Sequence, residues 1–209
     1  MNFDELGRRF ARLVTDIVVR RPRLWFLLRG PLRVQFDRLA PRWDSMRSAD
    51  AYKPYEAALE AVDPPPRRAL DLGTGTGGAA LAVARRFREA EVVGADIAER
   101  MIEQARRNLP DDLRARVRFD VADASKLPYR DGEFDLVGLS NMIPFFDELG
   151  RVVARGGFLI VAFSGGAETP IYVSPERLRR ELAARGFSDF ADFSTSPGTA
   201  LLARKRDRP

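Results

Sequence analysis

The run Asp71-Leu72-Gly73-Thr74-Gly75-Thr76-Gly77-Gly78 constrains this chain more than any other feature. A short apolar stretch, 69–72, precedes it and a helical pattern, 78–87, follows. Alternating glycines let a chain turn sharply from strand to helix and leave main-chain atoms open to a ligand that a Cβ would shield. Upstream, Asp63-Pro64-Pro65-Pro66 closes a helix expected over about 52–62, because proline cannot continue a helix. The main domain begins after these prolines.

Beyond the glycine run the pattern alternates. Strands are expected at 91–96, 117–121, 134–140 and 157–163, and helices at 98–108, 145–154 and 175–184, the last with Ser174 as N-cap and Pro175 in its first turn. Short apolar strands alternating with helices imply a parallel sheet covered on both faces. Two closing stretches, 189–193 and 199–203, joined by Ser196-Pro197-Gly198, read as an edge hairpin. Before the prolines, apolar residues Phe3, Leu6, Phe10, Leu13, Val14, Ile17 and Val18 fall at three- and four-residue steps and predict a helix ending near Arg21-Pro22. Two further helical pieces are expected at 24–29 and 32–39, separated by Gly30-Pro31.

Composition removes much of catalysis. The 209 residues contain no Cys and no His, so a zinc site of the usual kind, a thiol nucleophile, a Ser-His-Asp triad and a histidine base are all excluded. The longest uncharged stretch, 72–84, is too short and too glycine-rich to span a bilayer, and no secretory signal is evident, so a cytoplasmic protein is expected.

Gly73, Gly75 and Gly78 satisfy G-x-G-x-x-G, and the next strand ends in Asp96, an acid placed to hold ribose hydroxyls. An adenine-nucleotide-like ligand follows, with NAD one alternative. The surrounding residues favour another. D-x-G-x-G-x-G with its acid at the strand end, Asp96-Ile97, Asp123-Ala124 followed by Leu127-Pro128-Tyr129-Arg130-Asp131-Gly132-Glu133-Phe134-Asp135, and Arg151-Val152-Val153-Ala154-Arg155-Gly156-Gly157 resemble, in order and spacing, the motifs of class I S-adenosylmethionine-dependent methyltransferases.

The resemblance implies a Rossmann-like, doubly wound, mostly parallel seven-stranded α/β sheet with an antiparallel C-terminal edge hairpin. It also implies an S-adenosylmethionine-binding domain over 67–206, behind a helical N-terminal cap over 1–63. S-adenosyl-L-homocysteine would be the product. Under this reading Gly73, Thr74, Gly75 and Gly77 carry the methionine part of the cofactor, with Asp71 beside its ammonium. Asp96 accepts from the ribose diol, and Ile97 and Met101 sandwich the adenine. Asp123 accepts from the exocyclic amine and the Ala124 amide meets a ring nitrogen. Ser140 and Asn141 lie where the methyl group faces the acceptor. Ile97 and Met101 read equally as core, and Asp123 as a turn cap. No catalytic residue is singled out: if a base is needed, the candidates are Tyr172, Asp147, Glu168 and Tyr52. No metal-ligand pattern is present.

Phe36-Asp37-Arg38-Leu39-Ala40-Pro41-Arg42-Trp43-Asp44 is similar to the F-D-x-x-A-x-x-Y-D opening of the ubiquinone/menaquinone C-methyltransferase-like group, in which it covers the site. Trp43, Tyr52 and Tyr55 are candidates for that cover. Only Ser164–Val173 separates the strand 157–163 from Ser174, the N-cap of the helix 175–184, so the N-terminal helices must supply most of the acceptor pocket. Their Phe, Leu, Trp and Arg content favours a small hydrophobic or amphipathic acceptor.

The first fifty residues hold 11 Arg and 6 acidic residues, whereas the remainder is balanced. A neutral catalytic domain argues against a nucleic-acid substrate. Residues 1–45 form either a solvated helical face or a peripheral contact with the inner membrane surface. A domain that binds S-adenosylmethionine or NAD without catalysis, carrying a membrane- or partner-binding helix, is the other alternative, and the oligomeric state is left open.

Overall fold

The computed structural model describes residues 3–48 and 50–207. Side chains before Arg9 and that of Phe10 lie outside the described residues, and with them the Phe3, Leu6 and Phe10 part of the expected stripe.

The described elements run α1 (Phe3–Arg20), α2 (Trp25–Leu39), α3 (Lys53–Leu59), β1 (Arg68–Leu72), α4 (Gly78–Arg86), β2 (Glu91–Asp96), α5 (Glu99–Asn108), β3 (Val117–Val121), β4 (Phe134–Ser140), α6 (Phe146–Val152), β5 (Val153–Phe163), α7 (Pro175–Ala183), β6 (Phe187–Thr195) and β7 (Gly198–Lys205). The seven strands form one sheet in the order β3-β2-β1-β4-β5-β7-β6. The first five strands are parallel, and β7 runs antiparallel between β5 and β6. The order reverses beside β1, and the carboxyl ends of β1, β2 and β4 open on the crevice where such sheets hold ligands.

Each face of the sheet carries its own apolar layer. On one, Tyr55, Leu59, Ala80, Val83, Ile102 and Phe119 pack against Ala69, Val92 and Ile160. On the other, Leu149, Leu178 and Leu182 pack against Leu70, Val137 and Leu159, and this layer takes in Val14, Val18, Val19 and Trp25 from the N-terminal helices. Strand β1 serves both faces by alternation: Leu70 and Leu72 point one way, Ala69 and Asp71 the other.

Five expectations change. α2 is continuous through Pro31, not broken at Gly30-Pro31. Pro31 and Leu27, whose carbonyl loses its donor, both lie on the exposed side, while Trp25, Leu28 and Leu32 pack inward across the junction. α1 buries Val14, Thr15, Val18 and Val19 and leaves Leu13 57% exposed, because its packed face is rotated from the expected stripe. α3 ends at Leu59 and finishes in turns bonded Ala61 to Ala58 and Val62 to Leu59. β5 starts at Val153, which shortens α6; a register shift against β4 and the left-handed Gly156 (φ +73°) carry the chain through Arg155-Gly156-Gly157 without a turn. The hairpin is longer than expected and adds β7, not β6, to β5.

Candidate functional site

Strand β1 delivers Asp71, and the loop behind it turns through three left-handed glycines, Gly73 (φ +73°), Gly75 (φ +54°) and Gly77 (φ +93°). L-residues rarely adopt this region, so the alternation of glycines specifies the loop. The Gly73 and Thr74 N–H groups both donate to the Ala95 carbonyl, which ties the loop to β2. β2 ends in Asp96. Its Oδ2 accepts from the Gly75 N–H and its Oδ1 from the Ala98 N–H, both at 2.9 Å. Each oxygen keeps a lone pair, and the carboxylate is fixed in orientation. Two carboxylates flanking a glycine turn suit a ligand carrying a cation at one end and a diol at the other.

Burial dominates their electrostatics. Asp71 is 1% exposed and accepts from the Thr74 hydroxyl at 2.6 Å. Burial pushes its carboxyl up to about 6, against the Thr74 hydroxyl, the Ala80 N–H and the Arg47 charge, which pull it down, with the Asp96 charge adding to the rise. Burial also raises Asp96, offset by the N–H groups of Ala98, Gly75 and Ile97.

The N-terminal segment reaches this loop. Trp43 Nε1 lies 3.1 Å from where a Cβ on Gly75 would sit, and Met142, from the loop after β4, crowds Gly73 in the same way, with its Cγ at 2.9 Å. Asp44 accepts from the Thr76 hydroxyl and from Asn108 Nδ2, and Asp37 accepts from the Arg100 N–H. Arg47 stacks on Tyr52, whose hydroxyl lies against Gly78. Trp43 and Tyr52 therefore cover the loop, whereas Tyr55 is fully buried under β4.

The other candidate residues are engaged as follows. Asp123 Oδ1 accepts from Trp25 Nε1 (2.8 Å) and from the Ser125 N–H and hydroxyl, and Oδ2 accepts from Arg29 Nη1 (3.1 Å). Burial alone would raise Asp123; the bonds from Ser125, Trp25 and Arg29 outweigh it and hold the carboxyl below its ordinary value. Asp123 is thus a turn cap and also the anchor of α2, with a lone pair left on Oδ2. Ala124 is buried beside it. Met101 is fully buried with Ala40 and Ala98, and Phe36, Leu39 and Trp43 pack on this cluster; Ile97 is only partly buried. Asn141, left-handed at φ +53°, donates from Nδ2 to the Ser164 hydroxyl and accepts from the Ser164 N–H, which fastens the ends of β4 and β5, with Ser140 just before it. Of the base candidates, Asp147 pairs with Arg185, Tyr172 packs edge to face with Phe163 and Glu168 is exposed; only Tyr52 reaches the loop.

A cavity of about 610 Å³ lies between the N-terminal helices and α6–α7. Trp25, Phe26, Phe145 and Phe146 give it aromatic walls, and Arg20, Arg23 and Arg177 line it without an acidic partner among the described residues. The Arg177 Nε is buried and bonded to nothing described.

A parallel sheet closed by an antiparallel terminal pair, with a glycine turn after β1 and an acid at the end of β2, is the architecture of class I methyltransferases. Residues 69–157 match the methyltransferase domain family. A demethylmenaquinone methyltransferase of Thermus thermophilus is 41% identical over 138 residues, which cover 60% of this chain and 62% of that protein. A malonyl-[acyl-carrier protein] O-methyltransferase of Geobacter sulfurreducens is 41% identical over 148 residues, covering 66% and 55%. Human N-acetylserotonin methyltransferase, solved with S-adenosylmethionine, superposes with a TM-score of 0.62 at 18% identity, over 83% of this chain and 56% of that one, and shows the shared fold. The chain thus spans between about half and three-fifths of the length of these curated relatives.

Proposed function

We propose that this chain transfers a methyl group from S-adenosylmethionine to a small hydrophobic or amphipathic acceptor, residues 67–206 holding the cofactor and residues 1–63 capping the site. The observation that carries the reading is the left-handed glycine loop set between the Asp71 and Asp96 carboxylates. The residues fit the cofactor. Along the Gly73, Thr74, Gly75 and Gly77 turn, Gly73 and Gly75 are covered only by the side chains of Met142 and Trp43, which shift to admit the cofactor, while Gly77 packs on Phe119 and shapes the turn. Asp71 balances an ammonium. Asp96 offers its two remaining lone pairs to the ribose diol, Ile97 and Ala124 border the adenine, and the spare Oδ2 lone pair of Asp123 receives its amine. Met101 acts from behind, by packing α5 against the cap.

The cofactor's sulfonium supplies its own leaving group, so the protein's part is alignment and exclusion of water. A chain without His or Cys can do this. For the acceptor, the cavity argues for an apolar body with an acidic group, met by Arg20, Arg23 and Arg177. The two relatives named above act on demethylmenaquinone and on malonyl-[acyl-carrier protein], one chiefly apolar and the other acidic, and both chemistries suit such a cavity. Calorimetric titration with S-adenosylmethionine, S-adenosylhomocysteine and NAD(H) tests the cofactor: micromolar binding of the first two supports the proposal, and preference for NAD(H) overturns it.

Asp71 gives this binding a pH dependence. Its carboxyl is raised from 3.8 to about 6, so the folded chain keeps this proton where the unfolded chain has lost it. The contribution to stability is complete below about pH 4 and is lost as pH rises through 6. Cofactor binding runs the other way, because the ammonium needs the ionised carboxylate. Affinity is expected to be about tenfold weaker at about pH 5 than at about pH 7. Asp71→Asn flattens that profile and lowers affinity at neutral pH; an unchanged profile removes Asp71 from the ammonium site.

A further inference from the structure

Five of the six most exposed large apolar side chains among the described residues lie in the first 46: Leu13, Phe26, Leu27, Val34 and Met46, against Val121 elsewhere. Three of these share one face of α2. At 100° per residue Phe26, Leu27, Gly30 and Val34 fall together, while Trp25, Leu28, Leu32 and Phe36 fall opposite and pack inward. From Trp25 to Val34, α2 is therefore apolar on two faces, of which the folded chain uses one; Asp37, a turn further along the outward side, is held by the Arg100 N–H.

Arginine borders the second face. Arg23, Arg33 and Arg38 are exposed along its edges and have no acidic partner among the described residues. The chain's whole net charge of +5 sits in the first fifty residues. An exposed apolar stripe rimmed by unpaired cations fits an interface of anionic headgroups over acyl chains, into which arginine stems can snorkel. None of the described helices is long and apolar enough to cross a membrane.

We propose that the outward face of α2, through Phe26, Leu27 and Val34 with Arg23, Arg33 and Arg38 around them, docks on an anionic lipid bilayer. The inward face of the same helix holds Asp123 through Trp25 and Arg29. Phe26 and Arg23 belong to both the docking face and the cavity wall. Docking thus sets the cavity mouth at the lipid surface, where an amphipathic acceptor would concentrate; that consequence rests on the proposed function, whereas docking does not.

The test is co-sedimentation of the full chain with vesicles of phosphatidylglycerol and phosphatidylcholine in equal parts, and with vesicles of phosphatidylcholine alone, at two ionic strengths. The variants are Leu27→Ser combined with Val34→Ser, and Arg33→Glu; all three positions are exposed, so melting temperature is expected to be unchanged. Binding to the anionic vesicles is expected to exceed binding to the neutral ones, to weaken with salt and to fall about tenfold in the double variant. Equal binding by wild type and variants, or binding to neither vesicle, overturns the proposal. So does wild-type dimerisation without vesicle binding that is lost in the double variant, which assigns the face to a second copy of the chain. Vesicle binding is read without cofactor, so its failure is separate from failure of the calorimetric test.

Discussion

With alanine at position 96, affinity for S-adenosylmethionine is expected to fall at least about a hundredfold while the fold survives. Two charge-assisted hydrogen bonds to a diol are lost, each contributing roughly 1.5–3 kcal/mol. The loop suffers as well. Asp96 Oδ2 is the acceptor for the Gly75 N–H, and Gly75 is buried beneath Trp43, so alanine leaves a buried donor without a partner in the turn that must receive the cofactor. Asp96→Asn is milder, because the side-chain carbonyl can still take one of these bonds. Calorimetry measures the affinities, and far-UV circular dichroism with a melting curve shows that the sheet persists. Unaltered affinity in Asp96→Ala places the ribose elsewhere.

Much of the scaffold was readable because its signals are local. β2, β3 and β4 fall on the expected residues: β2 and β4, buried on both faces, read as short apolar runs bounded by loops, and the edge strand β3 alternates apolar and polar residues. The glycine loop was readable because its left-handed positions admit few other residues. The rest depends on partners distant in sequence. Nothing near Asp123 announces Trp25 and Arg29, which are 98 and 94 positions away, and these bonds make a cofactor candidate the anchor of the cap as well. Asp44 reaches Thr76 and Asn108 for the same reason, although its place in the F-D-x-x-A-x-x-Y-D-like stretch could have marked it. Met142 beside Gly73 had no sequence signal. The continuity of α2 through Pro31 follows from which side of the helix is packed, a property that local proline rules do not contain.

Gly138→Ala is expected to destabilise the fold by about 3 kcal/mol and to lower the melting temperature by roughly 10 °C. Gly138 is buried in β4 between Asp71 of β1 and Ile160 of β5, so its backbone is held on both sides. A Cβ there would overlap the Tyr55 hydroxyl and lie 2.6 Å from the ring's Cζ. The ring has nowhere to go: Tyr55 is fully buried, and α3 packs against β5, β6 and β7. Tyr55→Phe alone is expected to be neutral or slightly stabilising, because the buried hydroxyl has no hydrogen-bond partner among the described residues. In combination the two changes are expected to be non-additive. Removing the hydroxyl relieves the closest contact but leaves the ring edge, so the double variant recovers about 1 kcal/mol of what Gly138→Ala loses. Denaturant unfolding of the four proteins measures this, and strict additivity would show that the ring is not what the new methyl meets. The same contact bears on the site. Tyr55 seats against the strand where Gly138 pairs with Asp71, and this packing belongs to the burial that raises the Asp71 carboxyl, so Gly138→Ala is also expected to shift the pH profile of cofactor binding without touching the glycine loop.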